Sequence, residues 1–108
     1  MILVKPGVQF TVIAPAGFAI LAALQQVSEF SGHDITITSA CDGEHSGPND
    51  PHHRGEAYDI RCHNQDAAVL LQDIQVDIEN TQFYSFIEDE GTPNEHIHIQ
   101  LRKGATYS

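Results

Sequence analysis

The chain has 108 residues, in which 15 acidic and only 5 basic side chains give a formal net charge of −10. This length suits a single domain with one core, and a composition of 41% hydrophobic and 19% charged residues is typical of a globular protein. Because binding to phosphates or to an anionic surface requires Lys and Arg, the charge argues against nucleic acid as a partner and against tight docking on an anionic membrane or cell-wall polymer. A small substrate or a bound cation fits this charge better.

The first residues of the chain lack the features of a secretory signal or a membrane span. Their apolar run is short, has no charged segment before it, and is interrupted by Lys5-Pro6-Gly7. The sequence therefore predicts a protein that is made in the cytoplasm without a signal peptide.

The two cysteines, Cys41 and Cys62, are too few for a disulfide framework, and their spacing matches no zinc-knuckle pattern. We interpret them as two thiols. A single bridge between neighbouring strands is the alternative, which only the distance between them can decide.

The first part of the chain predicts one helix between extended segments. Val8–Ile13 alternates loosely, which is typical of a short strand or an extended lead-in. From Pro15 or Ala16 to Phe30, apolar residues recur at three and four positions and predict a helix, which Ser31-Gly32 ends. The predicted apolar face consists of Phe18, Leu21, Ala22, Leu24, Val27 and Phe30. The alternating Ile and Thr of Asp34–Ala40 predict a strand with one buried face.

A long loop separates this strand from the next one. The segment CDGEHSGPNDPHH, residues 41–53, is rich in Gly, Pro, Asn and Asp, and such a long loop in a small domain tends to be functional. Ala57–Cys62 is then predicted to be a strand. By alternation it places Ala57, Asp59 and Arg61 on one face, and Tyr58 and Ile60 on the other.

The second part of the chain predicts a helix followed by two strands. Asn64 as the N-cap and Asp66 in the first turn predict a helix from Gln65 to about Ile78. Its apolar stripe consists of Ala67, Ala68, Leu70, Leu71, Ile74 and Ile78. Phe83–Ile87 and His96–Leu101 are predicted strands joined by an acidic turn, and the residues after them a frayed tail. The order favours an α+β fold, with a small antiparallel sheet of about four strands, two helices packed against it and a long metal-binding loop.

His52 and Asp59 form the first half of a candidate metal site. His52 leaves the loop beside Gly55, which permits a close backbone approach, and Asp59 lies on an otherwise apolar strand. A carboxylate on a half-buried strand is costly unless it is paired or binds a cation. Taken alone, such a pair is more often a polar loop residue and a strand-end carboxylate. Together with further ligands it matches a catalytic zinc site, which has three protein ligands and one open position.

His96 and His98 form the second half of the candidate site. Alternation places both on one face of the last strand, while Ile97 and Ile99 face the core. The alternative is a pair of polar cross-strand contacts on a solvated face.

Glu95 is the candidate general base. Alternation places Glu95 and His98 on opposite faces of a regular strand, so Glu95 can assist only if the chain bends as it leaves Pro93-Asn94. The alternative is a solvated glutamate in the acidic turn.

The two halves together resemble a known family. The pattern His52-x-x-Gly55-x-Ala57-x-Asp59, followed by Glu95-x-x-His98 with His96 inside it, is similar to zinc peptidases that include D-alanyl-D-alanine carboxypeptidases and dipeptidases and phage L-alanyl-D-glutamate endolysins. The resemblance runs from about Ile35 to Leu101. It implies the fold that these enzymes share with hedgehog signalling domains, a small antiparallel sheet with helices beside it.

The resemblance also implies roles for individual residues. His52, Asp59 and His98 would be the zinc ligands, Glu95 the catalytic base, and His96 a contact to the ligands or to the transition state.

Two positions depart from the family pattern. Asp42 stands where many members have an Arg that stabilises developing negative charge, and Asp50 replaces a Ser. Arg61 is the candidate for supplying the positive charge, with a plain structural ion pair as the alternative, and His45 is a candidate hydrogen-bond donor.

The resemblance implies a monomeric, single-domain zinc metallopeptidase that hydrolyses the stem peptide of bacterial peptidoglycan at the cell wall or in the periplasm. A Glu base resembles the D,D-carboxypeptidase or dipeptidase branch, and a phage-encoded L-alanyl-D-glutamate endopeptidase is the alternative. Two other hypotheses are not enzymes. One is a metal-stabilised binding module without turnover, which the missing Arg supports, and the other is an acidic interaction protein with scattered histidines.

Overall fold

A computed structural model of the chain describes residues 1–43, 49–62, 66–78 and 82–107. Within these residues, two helices and a five-stranded sheet with the strand order β1-β2-β3-β5-β4 form an α+β fold. The elements are β1 (Ile2–Val4), α1 (Pro15–Ser31), β2 (Ile35–Ser39), β3 (Ala57–Arg61), α2 (Ala67–Asp77), β4 (Phe83–Glu88) and β5 (His96–Leu101).

The sheet is mixed, so the expectation of about four antiparallel strands was wrong in two respects. Strands β2, β3, β5 and β4 pair antiparallel in that order, but β1 adds a fifth strand that runs parallel to β2. The predicted extended segment Val8–Ile13 is not a strand. Its backbone instead contacts the loops around the candidate site, with hydrogen bonds from Cys41 N to Gln9 O and from Ala14 N to Gly55 O.

Helix α1 begins and ends close to the predicted residues, and it buries Leu24 and Val27 of the predicted face but not Phe18 and Phe30. Pro15 lies in its first turn, and Gly32 ends it in a left-handed conformation with φ 75°. Phe18 and Phe30, predicted to be buried, are 60% and 95% exposed. The buried residues are Ala16, Gly17, Ile20, Ala23, Leu24, Val27 and Ser28.

The small residues of α1 explain this difference. A Cβ atom on Gly17 would lie 2.2 Å from the backbone oxygen of Gly55, so only glycine allows the helix to approach the chain before β3 this closely. Gly17 therefore belongs to the buried face of the helix, which periodicity of large apolar residues alone does not reveal.

Helix α2 begins later than predicted. Asp66 is its N-cap, not a first-turn residue, because its Oδ1 atom accepts hydrogen bonds from the backbone of Ala68 and Val69. The predicted N-cap Asn64 and first residue Gln65 lie outside the described residues. The helix ends within one residue of the prediction, and its stripe buries Leu70 and Ile74. The other stripe residues are half-buried except Ala68, which is exposed.

The core lies between the helices and one face of the sheet. Tyr58, Ile60, Ile97 and Ile99 are fully buried there, as alternation predicted. Among the described helices, none is long and apolar enough to span a membrane.

The segment after β5 is not frayed, contrary to the prediction. Its Tyr107 ring packs edge-on against Phe83 at 5.3 Å between ring centroids, and the backbone of Arg102 donates to Gln82 at 2.7 Å. These contacts tie the described part of the segment to β4 and to Gln82, which its polar composition did not suggest, and Ser108 lies outside the described residues.

Candidate metal centre

A tight turn before β3 presents His52. The Oδ1 atom of Asp50 accepts a hydrogen bond from the His52 backbone at 2.9 Å, so this aspartate supports the turn. Gly55 has φ 72°, and a Cβ atom there would lie 2.3 Å from the backbone oxygen of Val12. The predicted close backbone approach at Gly55 is therefore confirmed. The turn leaves the His52 side chain only 3% exposed.

The pairing of β3 with β5 presents Asp59 and His98. These two residues lie directly opposite each other in the antiparallel ladder, on the face of the sheet that points away from the helices. They are 9% and 8% exposed, so both polar side chains are buried. The register that buries Ile97 and Ile99 in the core therefore also brings this imidazole next to this carboxylate.

The side chains of His52, Asp59 and His98 converge on one point. Oδ1 of Asp59 lies 2.8 Å from Nδ1 of His98 and 3.3 Å from Nε2 of His52, and these two nitrogens lie 3.3 Å apart. A tetrahedral metal with bonds of ~2.0–2.1 Å has ligand-to-ligand edges of about 3.3 Å. The three atoms therefore form a triangle of the size that such an ion requires, and this group can hold a metal.

The other nitrogen of each imidazole has a hydrogen-bond acceptor. Nδ1 of His52 donates to the Ala40 carbonyl at 2.9 Å, which leaves Nε2 to point at Asp59. The amide nitrogen of Gln100 donates to the Leu101 carbonyl at 3.0 Å, so its oxygen faces Nε2 of His98 at 2.7 Å and accepts from it. Outer acceptors of this kind orient metal-binding histidines. With these tautomers, both nitrogens at the convergence point present lone pairs.

The electrostatics of this point favour a cation. Burial raises the pKa of Asp59, but the His52 and His98 imidazoles, which donate hydrogen bonds to it when they are protonated, outweigh this effect and hold the pKa well below its usual range. Burial lowers the pKa of His98, but the carboxylate of Asp59 and the Gln100 oxygen raise it overall. Two lone pairs beside a buried carboxylate repel one another unless positive charge lies between them. Either a proton or a metal ion can supply that charge.

A second group of possible metal ligands, which consists of Asp59, Glu88 and His96, lies beside the first on the same face of the sheet. Nε2 of His96 is 2.7 Å from Oε1 of Glu88 and 3.7 Å from Oδ2 of Asp59, and Nδ1 donates to the Asn94 carbonyl at 2.8 Å. These three side chains could also surround an ion. However, Arg61 lies directly opposite His96 in the ladder, and its positive charge opposes a second cation. The contacts fit an ion pair between His96 and Glu88 better.

The structure places Glu95 away from the three converging atoms. Its Oε1 accepts from the Gly91 backbone at 3.2 Å, and its Oε2 lies 3.8 Å from Sγ of Cys62. This position agrees with the alternation that separates Glu95 from His98.

The other residues that the sequence analysis singled out lie around the three converging side chains or outside the described residues. Arg61 is exposed and lies on the same face of β3 as Asp59, two residues further along the strand, as alternation predicted. Asp42 has a local structural role, because its Oδ1 accepts from the backbones of Ala40 at 2.9 Å and Gln9 at 3.2 Å. His45 lies outside the described residues.

Both cysteines are free, which confirms the interpretation as two thiols. Cys41 is half-buried, and its thiol donates to the Val12 carbonyl at 3.4 Å. Burial and the nearby Glu95 carboxylate raise the pKa of the buried Cys62 thiol.

Two residues of the site, Gln100 and Glu88, were not predicted. Gln100 follows His98 by two positions on one strand, so alternation already places it on the same face. Glu88 contacts His96 only because β4 and β5 pair in a register that the sequence does not specify. Gln100 was therefore predictable from strand alternation, whereas Glu88 was not.

Comparison of the chain with known protein families, with curated proteins and with solved structures finds no significant match in any of the three.

Proposed function

We propose that the protein is a zinc-dependent metallopeptidase that hydrolyses peptidoglycan stem peptides, of the D,D-carboxypeptidase or dipeptidase type. The observation that supports this most directly is the convergence of His52 Nε2, Asp59 Oδ1 and His98 Nδ1 at 2.8–3.3 Å from one another. These are the ligands that the resemblance to the peptidase family selects, and they come from two segments far apart in sequence.

The ligand chemistry supports zinc as the metal. Two imidazoles and one carboxylate match the donor sets of catalytic zinc sites, whereas calcium and magnesium prefer oxygen ligands alone. When bound, zinc polarises a carbonyl group and lowers the pKa of water, which are the two requirements of peptide hydrolysis at neutral pH.

The protein's own residues have separate roles in this proposal. His52, Asp59 and His98 hold the metal, and Ala40 and Gln100 keep the imidazoles oriented. Glu95 accepts a proton at its carboxylate and returns it to the leaving amine. For this, the Glu95 side chain has to leave Gly91 and Cys62 by a change of rotamer.

His96 lies beside this centre and contributes a polar hydrogen. Its Nε2 faces Glu88 and Asp59, and its Nδ1 is bound to Asn94, so the ring has a defined orientation. In the proposal Nε2 exchanges its contact with Glu88 for a hydrogen bond to the negative charge that develops on the substrate.

The test is a Glu95→Ala variant assayed on purified muropeptides, with zinc content measured on the same samples. Since Glu95 does not contact the three metal-binding atoms, zinc is expected to be retained, while hydrolysis falls by roughly 10²–10⁴-fold. Glu90→Ala is the matched control, because Glu90 is an exposed residue of the same turn and is expected to leave both quantities unchanged.

The identified products separate the possible activities. Release of a C-terminal D-alanine supports the carboxypeptidase, and cleavage after L-alanine supports the endopeptidase instead. A wild-type protein that binds no zinc at neutral pH would contradict the whole proposal.

A metal-stabilised binding module is the second candidate function. The contacts of Glu95 with Gly91 and Cys62, together with the structural role of Asp42, favour it. It predicts that the wild type binds zinc with one ion per chain and hydrolyses none of the muropeptides.

A further inference from the structure

We propose that the pocket beside the metal centre binds a carboxylate of the substrate through Arg61 and Lys5. The inference rests on the proposed peptidase function, because it assigns the part of the substrate that follows the cleaved bond. The pocket has a volume of about 400 Å³ and shares His96 with the outer face of the centre. Its lining consists of Lys5, Thr38, Arg61, Asp89, Pro93, Asn94, Glu95 and His96.

Cations are scarce in this chain, and two of the five Lys and Arg residues line this one pocket. Elsewhere, Arg54 pairs with Glu56 at 2.8 Å and Arg102 lies over the Tyr84 ring at 5.4 Å. Across the described residues, no carboxylate lies within ion-pairing distance of Arg61 or Lys5. Their charges are therefore available to a ligand.

The net charge of −10 makes the local positive charge of Arg61 and Lys5 necessary for binding an anionic ligand. A carboxylate ligand is repelled by the protein as a whole, so it binds only where local positive charge exceeds that field. Arg61 offers planar paired donors that match a carboxylate, and Lys5 adds a second positive charge.

Two carboxylates also line the pocket, and their positions limit how a ligand can bind. In the proposed function Glu95 turns from Gly91 and Cys62 towards the metal centre, and Asp89 lies in the turn after β4. Because like charges repel, an anionic group is expected to bind at Arg61 and Lys5 rather than beside these carboxylates.

The spacing suits a carboxylate one residue beyond the cleaved bond. Arg61 follows Asp59 by two positions on β3, a distance of ~6.6 Å along a strand. One peptide residue spans ~3.3–3.6 Å, and the Arg side chain covers the remainder. A carbonyl at the metal centre thus places the carboxylate of the next residue near the guanidinium.

Two sources can supply this carboxylate, and both occur in the proposed substrates. One is the free C-terminus of a terminal D-alanine, and the other is the free carboxylate of a D-glutamyl residue within the chain. The test therefore uses an acyl-D-alanyl-D-alanine peptide, an acyl-L-alanyl-D-glutamyl peptide, and the amide of each in which that carboxylate is neutralised.

The variant is Arg61→Gln, with Lys103→Gln as a matched control because Lys103 is an exposed cation outside the pocket. With the acid that the pocket accepts, Arg61→Gln is expected to raise KM by roughly 10–100-fold, the loss of a charged hydrogen bond, and to change kcat much less. With the matching amide, wild type and variant are expected to be equally weak. Lys5→Met should shift KM in the same direction by a smaller factor.

A second readout does not depend on turnover. Calorimetric titration of the zinc-loaded protein with D-alanine and D-alaninamide, and with D-glutamate and its amides, measures the preference for the carboxylate directly. The wild type is expected to prefer an acid, and Arg61→Gln to lose that preference while retaining its zinc. This separates the two proposals, since an Arg61-dependent preference without hydrolysis supports the pocket and contradicts the peptidase.

Three results would overturn the inference. The first is that the wild type binds acid and amide equally well. The second is that Arg61→Gln raises KM equally for the acid and for the amide. The third is that Arg61→Gln lowers kcat for both the acid and the amide. The last would mean that Arg61 stabilises the transition state instead. Should Arg61→Gln fail to fold, Arg61→Lys together with Lys5→Met decides the question, because only the former keeps the charge.

Discussion

His96 and His98 lie two residues apart on one face of one strand, yet their surroundings differ. His98 is buried, donates through Nε2 to Gln100, and turns Nδ1 towards a carboxylate and a second imidazole. His96 is half-buried and has an acceptor at each ring nitrogen, the Asn94 carbonyl and the Glu88 carboxylate. Nδ1 of His98 meets a buried carboxylate together with a second imidazole nitrogen, which is the donor set of a metal site, whereas His96 meets only a backbone carbonyl and a half-exposed carboxylate, which suits a hydrogen-bond donor.

The difference shows why spacing alone cannot assign the roles of a His-x-His pair. Alternation places both imidazoles on the same face but says nothing about what each one meets there. The neighbouring strands decide, because β3 offers Asp59 to His98, and β4 offers Glu88 to His96.

The comparison of His98 with His96 predicts its largest effect on zinc affinity. His98→Ala removes one of the three converging atoms, so we expect zinc affinity to fall by more than ~100-fold, beyond the usual effect of an outer partner. His96→Ala should change it only a few-fold. Competition with a chromophoric chelator measures both, with far-UV circular dichroism to verify folding. Unchanged zinc content and stability in His98→Ala would remove the basis of the site.

A smaller effect is expected at the acceptor of His98. Gln100→Leu leaves Nε2 of His98 without its partner, so zinc affinity should fall by roughly 10–100-fold. Gln100→Glu keeps an acceptor oxygen and should retain most of the affinity. The same chelator assay applies, and equal losses in the two variants would show that Gln100 contributes only by its packing.

The third effect is on folding stability and not on metal affinity, and it concerns the turn that supplies His52. Gly55→Ala forces a Cβ atom against Val12 and requires a left-handed backbone, so the free energy of unfolding should fall by about 2–4 kcal/mol. Gly104→Ala is the control, since it has φ 81° with no atom within 4 Å and isolates the backbone cost of about 1 kcal/mol. Urea unfolding compares the two, and equal losses would argue against the close contact.

The fold was predictable where a local pattern decides it. The alternation of Ile and Thr in β2 and of Ile and His in β5 has period two, and both strands formed as expected. The failures involve tertiary contacts. Ile2–Val4 is too short to identify as a strand until β2 offers it an edge, and the buried face of α1 depends on the contact between Gly17 and Gly55.

The candidate site was also predictable where a local sequence pattern decides it, and not where tertiary contacts decide it. The resemblance selects His52, Asp59 and His98, and the structure brings these three side chains together. It does not bring Glu95 to them, because the Glu95 carboxylate contacts the Gly91 backbone and the Cys62 thiol instead. Which carboxylate faces a metal depends on side-chain rotamers and turn geometry, and neither follows from residue spacing.

The pairing of β3 with β5 gives this protein an unequal tolerance to changes in length. Residues can be added to the turn at 89–94 without altering the ladder, because that turn lies beyond the paired positions. A single deletion inside β5 would instead exchange Ile97 with His98, burying an imidazole in the core and exposing an isoleucine to solvent. Natural variants of this chain should therefore differ in length at the turn and never within the strand.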